Sequence, residues 1–442
     1  MSNAALRPVL GLAAVALWLG AVACTVPDSS SATFGAPAFA AALPEDVGIS
    51  SERLERLDGA MQNLVDEERL AGITIMLARH GRIVHSEQFG MRKIATGDSM
   101  ADDAIFRIYS MSKPITGVAL MMLYEEGKFR LSDPVERYIP EFVGLQVASG
   151  VGPDGPIVED ANHPMTIREL MSHTAGLSYG IFSRSQVDSM YVEAGVLDRD
   201  GTLEDMIDKL SRIPLRQQPG SGWHYSVATD VQGYLVEVLS GQPFDEFLQA
   251  RLFEPLGMVD TGFWVPPEEA HRLAEVYTYE EDTRALVAGE GFGRDGHPFL
   301  QPTTFFSGGG GLVSTTADYM RFSQMVLNGG ELDGVRILSP LTIELMTRNQ
   351  MPRAIPEMAP GTGFGLDFAV VLDPVAADGI SKGEYYWGGA AGTWFWIDPV
   401  EDLVFVGMIQ QFGEGRPDVR SLSRRLVYQS IMDAKGTMTA TH

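Results

Sequence analysis

After Ser50 and Ser51, which suit the start of a helix, apolar residues recur at Leu54, Leu57, Met61 and Leu64. That spacing gathers them on one helical face and predicts a first helix over about 51–68. Two strand-like runs follow, 72–79 and 82–90, separated only by His80-Gly81, and predict a β-hairpin. Towards the other end, 365–372, 384–387, 394–397 and 403–409 are again strand-like, broken by Asp-Pro or glycine-rich steps. A helical spacing returns at Val419, Leu422, Leu426 and Ile431. Between these ends the periodic segments are mostly helical: 115–126, 167–172, 203–212, 231–239 and 244–252. The stretches 150–163 and 278–307 carry no period and are expected to be irregular.

Strand-bearing ends around a helical middle predict an α+β fold in which both ends contribute to one antiparallel sheet with helices packed on it. The sheet domain is then discontinuous, 45–113 and 308–434, with a mostly helical domain over 114–307 inserted and a short tail at 435–442.

The amino terminus has a different texture. Residues 1–23 hold one basic residue, Arg7, and an apolar run from Val9 to Ala23 that falls short of the ~20 residues needed to cross a bilayer. They are expected to form a signal peptide. The run closes as Ala21-Val22-Ala23-Cys24: the small residues suit an export peptidase, the cysteine suits lipoprotein processing, and both cuts precede Cys24. The segment resembles a bacterial lipobox, with Ala21 where leucine is usual. Residues 24–44, rich in Ser, Ala and Pro, are expected to be a flexible tether. The expected location is the periplasm, or the membrane surface through a lipid on Cys24.

Composition removes several function classes. Thirty-three Lys and Arg against 58 Asp and Glu leave a formal charge of −25, which disfavours nucleic acid as a partner. With 45% hydrophobic and 21% charged residues the chain has the makings of a packed core. Cys24 is the one cysteine, so the fold holds no internal disulfide and no cysteine-based metal site. The eight histidines include no His-Glu-x-x-His, and Gly308–Gly311 lacks the Lys and Ser/Thr of a phosphate loop. No metal or cofactor is expected.

Three segments carry chemistry. In 106–117 a strand-like approach meets an amphipathic helix, with Ser110 at the junction and Lys113 three residues on. On a helix Lys113 projects one turn above Ser110, where its amine can take the hydroxyl proton, and the helix amino terminus favours developing negative charge. The second segment is Trp223-His-Tyr225-Ser226-Val227, just before a predicted helix. A tyrosine beside a lysine ammonium can serve as general base, because the cation favours the phenolate. In the third, Tyr386-Trp387-Gly388-Gly389-Ala390, a strand ends in small residues that let its backbone approach a ligand. The Ala390 N–H, opposed to the Ser110 N–H, would make a two-donor oxyanion hole.

In this order and at these separations the segments resemble the serine β-lactamase and penicillin-binding-protein superfamily, and within it the family VIII carboxylesterases, over about residues 45–434. The resemblance rests on Ser110-x-x-Lys113, on Tyr225-Ser226-Val227 where class C β-lactamases carry Tyr-x-Asn, and on Trp387-Gly388-Gly389 where they carry Lys-Thr-Gly. It implies the β-lactamase/DD-peptidase-like fold, Ser110 as nucleophile, Lys113 and Tyr225 as proton carriers, and Tyr109, Val227, Trp387, Gly388 and Gly389 as substrate-binding positions. It also implies that His173 braces a loop. Trp387 in place of lysine removes the cation that meets a drug carboxylate in penicillin-recognising members and offers an aromatic wall. Esters are therefore the expected substrates; that they are short-chain carboxylic esters, with weak β-lactam hydrolysis as a side activity, is what the resemblance implies. The alternatives are a β-lactamase, D-alanyl peptidase or acyltransferase of the same superfamily, and a non-catalytic receptor for a cell-wall fragment.

A Ser-His-Asp hydrolase is the competing site. Gly176-Leu-Ser178-Tyr-Gly180 matches the letters of a nucleophile elbow, yet a helical run precedes it and no periodic helix follows at once.

Overall fold

The structure, a computed structural model, describes residues 40–289 and 299–433. The expected signal peptide, Cys24, most of the expected tether and the tail at 435–442 lie outside the described residues.

The amino-terminal hairpin forms as the pattern predicts, from β1 (Gly72–Arg79) and β2 (Arg82–Lys93). His80 and Gly81 take φ of 54° and 68°, the two left-handed positions that a tight hairpin turn needs. A short β3 (Asp98–Ser99) follows. The carboxyl-terminal half supplies β4 (Thr362–Phe364), β5 (Ala369–Val371), β6 (Tyr385–Gly388), β7 (Trp394–Asp398) and β8 (Leu403–Met408). All eight join in one sheet in the order β4-β5-β6-β7-β8-β1-β2-β3, every neighbour antiparallel. The β1–β8 pair stitches the two ends of the chain together.

Both faces of this sheet are covered, which explains why the central strands are apolar runs rather than alternating ones. Ile73, Ile75, Leu77, Trp394, Trp396, Leu403 and Phe405 pack with α1 (Ser51–Asp66) and α5 (Val419–Tyr428). The alternate residues Met76, Ala78, Phe395, Ile397, Val404 and Val406 face the larger core. That core also holds α2 (Ser112–Glu125), α3 (Ala228–Ser240) and α4 (Thr316–Leu327). Residues 112–123 of α2 are buried on every side, as befits a helix at the centre of the fold.

Three expectations change in detail. Residues 150–163 are not wholly irregular, because Gln146–Val151 and Pro156–Asp160 pair as a hairpin. Likewise Val276–Glu280 and Ala285–Gly289 pair within the stretch taken as loop. Exposed residues and Gly150 interrupt any apolar alternation in the first; in the second Val276, Tyr277 and Tyr279 are buried, but the partner strand 285–289 has no buried residue. The single strand expected over 365–372 is instead a turn and β5, since Asp367 adopts φ of 63° and Gly365 N–H donates to the Phe368 carbonyl at 2.7 Å.

Candidate active site

Ser110 sits in a one-turn helix, Tyr109–Met111, directly before α2. Tyr109 takes φ of 43°, a left-handed conformation uncommon for an aromatic residue, and so turns the chain sharply where the hydroxyl must be presented. Lys113 is fully buried. Its Nζ donates to Ser110 Oγ at 3.3 Å, to the Gly309 carbonyl at 2.5 Å and to the Tyr179 hydroxyl at 3.5 Å. The Tyr225 hydroxyl donates to Ser110 Oγ at 2.7 Å, while the Lys113 ammonium lies 4.7 Å from the Tyr225 ring centroid. The three residues named from sequence thus share one hydrogen-bonded cluster, although Tyr225 is 115 residues from Ser110.

Behind the lysine stand two buried carboxyls. Asp230 Oδ1 accepts from the Gly309 N–H at 3.0 Å, so one residue links this carboxyl to Lys113 through its N–H and its carbonyl. Burial pushes the Asp230 carboxyl up, and the Lys113 charge pulls the other way. Asp367 accepts from Thr229 Oγ1 at 3.1 Å and Gln232 Nε2 at 3.2 Å, and burial pushes it up to about 8. Glycine is required at 309, where a Cβ would lie 2.4 Å from Asp230 Oδ2.

The end of β6 reaches the segment that carries Ser110 by close backbone contact. A Cβ on Gly389 would fall 2.2 Å from Thr393 Oγ1 and 2.4 Å from the Ile108 carbonyl. Arg416 donates to the Ala390 carbonyl at 2.6 Å, and the Gln411 N–H donates to the Ala391 carbonyl at 2.8 Å, fixing the turn from outside. Among the described residues neither the Ser110 nor the Ala390 N–H has a hydrogen-bond partner, which leaves both free to meet an oxyanion.

The substrate-binding candidates divide. The Trp387 ring lies 5.6 Å from Tyr225, whose hydroxyl meets Ser110, and 5.3 Å from Phe364. Gly388 faces the other way, towards Arg420. Tyr109 is buried, edge-on to Phe299 and Phe412. Val227 is fully buried, with its N–H donating to the Ser178 carbonyl at 3.0 Å, so its side chain belongs to the core rather than to the cleft.

His173 Nδ1 pairs with Ser226 Oγ at 3.2 Å and its carbonyl accepts from the His224 N–H at 2.8 Å. Burial and the nearby Lys113 hold its imidazole well below the usual range, and its contacts brace the segment that carries Tyr225. The residues that sequence reasoning passed over are Tyr179, Asp230 and Gly309. Tyr179 lay inside the Gly-x-Ser-x-Gly letters, and Gly309 inside the Gly308–Gly311 run considered as a phosphate loop. Ser178 itself is buried and donates to Asp188, with His224 Nε2 3.3 Å from its oxygen. Asp188 accepts the hydrogen bond of the Ser178 hydroxyl directly instead of orienting His224, so the relay of a Ser-His-Asp site is not formed.

Residues 57–429 match the family described as Beta-lactamase. An uncharacterized protein of Mycobacterium tuberculosis is 34% identical over 375 residues, which cover 80% of this chain and 90% of its own length. Esterase EstB of Burkholderia gladioli is 33% identical over 358 residues, covering 77% of this chain and 86% of the esterase. Among solved structures, EstCE1, described as a hydrolase with promiscuous acyltransferase activity, superposes with a TM-score of 0.74 at 29% identity, over 85% of this chain and 98% of that one. With the β-lactamase and penicillin-binding-protein fold in place and esterases among its relatives, the chain belongs to the beta-lactamase family, grouped with the family VIII esterases of the serine β-lactamase-like superfamily.

Proposed function

We propose that the protein is a serine carboxylesterase that cleaves short-chain esters through an acyl-enzyme on Ser110. The observation that carries this reading is Ser110 Oγ held 2.7 Å from the Tyr225 hydroxyl and 3.3 Å from Lys113 Nζ, beside two backbone N–H donors that have no partner among the described residues. Ser110 Oγ gives its proton to the Tyr225–Lys113 pair and adds to the ester carbonyl, whose oxygen is taken up by the Ser110 and Ala390 N–H groups. The same proton passes to the alcohol oxygen as the carbonyl–oxygen bond breaks. Water then attacks the acyl-enzyme, the pair takes its proton, and Ser110 recovers it as the acid leaves.

An alcohol in place of water would turn the same intermediate to acyl transfer, and the description of EstCE1 favours this as the second reading. β-Lactam turnover is disfavoured by Trp387, which supplies no cation for a drug carboxylate. The apolar run before Cys24 supports export, with Cys24 as the candidate lipid anchor.

The test is hydrolysis of p-nitrophenyl acetate and butyrate and of a chromogenic cephalosporin, with and without added butanol. Ester turnover is expected to fall about 10⁴-fold or more in Ser110→Ala and to survive in Ser178→Ala. Loss in Ser178→Ala alone would transfer the nucleophile to the other serine. Cephalosporin opening faster than ester cleavage would overturn the substrate class.

A further inference from the structure

The loop after Ser178 places two large apolar residues in solvent: Ile181 is 50% exposed and Phe182 56%. Phe182 is not stranded on a remote surface. Its ring centroid lies 5.5 Å from that of Tyr225 and 5.2 Å from that of Tyr179. Tyr179 in turn stacks on Tyr225 at 5.4 Å, and Trp223 stacks on it at 6.1 Å. The phenol that touches Ser110 is therefore walled by aromatic rings, and one ring of that wall, Phe182, is more than half open to solvent.

The loop is also held in place. Asp188 accepts from Ser178 Oγ, Ser183 Oγ and Arg216 Nη1 and from both the N–H and the hydroxyl of Ser185. Those hydrogen bonds, first among them those of the Ser178 and Ser183 hydroxyls, keep the Asp188 carboxyl well below the usual carboxylate range against the opposing effect of burial. One carboxylate thus clamps both ends of the 178–185 segment, so Phe182 is presented on a braced lip, as a recognition side chain should be. The Gly-x-Ser-x-Gly letters belong to this brace.

We propose that Phe182 and Tyr179 form a binding site for a flat aromatic group on the alcohol side of the ester, which makes aryl-methyl esters such as benzyl esters the preferred substrate class. This rests on the esterase reading above. The assignment to the alcohol side follows from the proton path: the leaving oxygen must come within hydrogen-bonding reach of the Tyr225 hydroxyl to be protonated. The group attached to that oxygen then lies against the rings that surround Tyr225. A ring in this position meets aromatic faces and edges, an arrangement favoured beyond the area it buries.

Benzyl acetate and butyl acetate give the same acetyl-enzyme, so the difference in their kcat/KM reports the alcohol side alone. Benzyl acetate is expected to be preferred in the wild type. Phe182→Ala should lower its kcat/KM about five- to tenfold and that of butyl acetate less than twofold, and Phe182→Trp should restore the preference. Equal losses on both esters, or none on either, would overturn the site. A readout without turnover separates this from failure of the esterase reading: in Ser110→Ala, benzyl alcohol binding followed by tryptophan fluorescence should weaken about fivefold when Phe182→Ala is added. Unchanged binding overturns the lip. Binding that weakens as expected, in a protein that cleaves no acetate ester, supports the lip and overturns the esterase reading instead.

Discussion

At the scale of single residues, the site depends most on atoms that are missing. Gly389 has its hydrogen where a methyl group would collide with Thr393 Oγ1 and the Ile108 carbonyl. Ile108 stands two residues before Ser110, and Ala390 follows Gly389, so a methyl group there forces apart the two segments that carry the proposed oxyanion donors. Gly389→Ala is expected to lower kcat by about 10²–10³, the usual cost of losing one such donor, with KM changed less and the far-ultraviolet dichroism unchanged. Gly388→Ala is the control: its Cβ would approach the Thr393 carbonyl at 3.1 Å and face away from Ser110, and it should cost far less. A Gly389→Ala enzyme with wild-type kcat would remove Ala390 from the oxyanion site.

At the scale of elements, Asp367 is the joint. It lies in the turn between β4 and β5, its carboxyl reaches Thr229 and Gln232 of α3, and Gly117 of α2 makes room, since a Cβ there would sit 2.7 Å from Asp367 Oδ2. Burial pushes this carboxyl up to about 8, against about 3.9 in an unfolded chain. Between those values the folded state holds a proton that the unfolded state has released, so this group makes stability fall as pH rises from about 4 to 8. Asp367→Asn, which tolerates the left-handed backbone and cannot ionise, is expected to gain in Tm over wild type as pH goes from 5 to 8. A constant Tm gap would mean that Asp367 is ionised throughout. The same joint shows what sequence could carry. Ser110 and Lys113 were legible because three helical residues suffice to bring them together, and α1 and the first hairpin because their apolar periods are local. Tyr225 was legible only through resemblance to a family. The Gly309 peptide, the Asp230 carboxyl and the Tyr179 hydroxyl gain meaning only once α2, α3 and the glycine run are packed. The hairpin at 146–160 escaped because most of its residues are exposed, which leaves no buried face to impose a period of two, and the one at 276–289 because only its first strand is buried and Val276-Tyr277 breaks the alternation there.

At the scale of the whole molecule, the question is what closes a sheet whose strands come from both ends of the chain. Much of the answer is one buried guanidinium. Arg79, the last residue of β1, is fully buried and donates to the Glu401 carboxylate at 2.9 Å and its carbonyl at 3.1 Å, to the Val47 and Gly48 carbonyls at 2.7 Å and 3.3 Å, and to Asp433 at 2.5 Å. These groups come from the segment before α1, the turn between β7 and β8, and the last described residue. A planar fork with five donors can meet acceptors converging from so many directions, which an ammonium cannot do. Arg79→Ala would leave the Glu401 carboxylate buried without its counter-charge and the Val47 and Glu401 carbonyls short of a donor, and is expected to cost about 3–5 kcal/mol. Arg79→Lys should recover only part of that. Because none of these groups touches Ser110, Lys113 or Tyr225, ester turnover per folded molecule at 25 °C is expected to stay near wild type while the thermal midpoint drops. A loss of activity without a drop in midpoint would mean that Arg79 acts on the site; a cost below about 1 kcal/mol, the worth of an exposed pair, would mean that the two ends of the chain are held by the apolar layers alone.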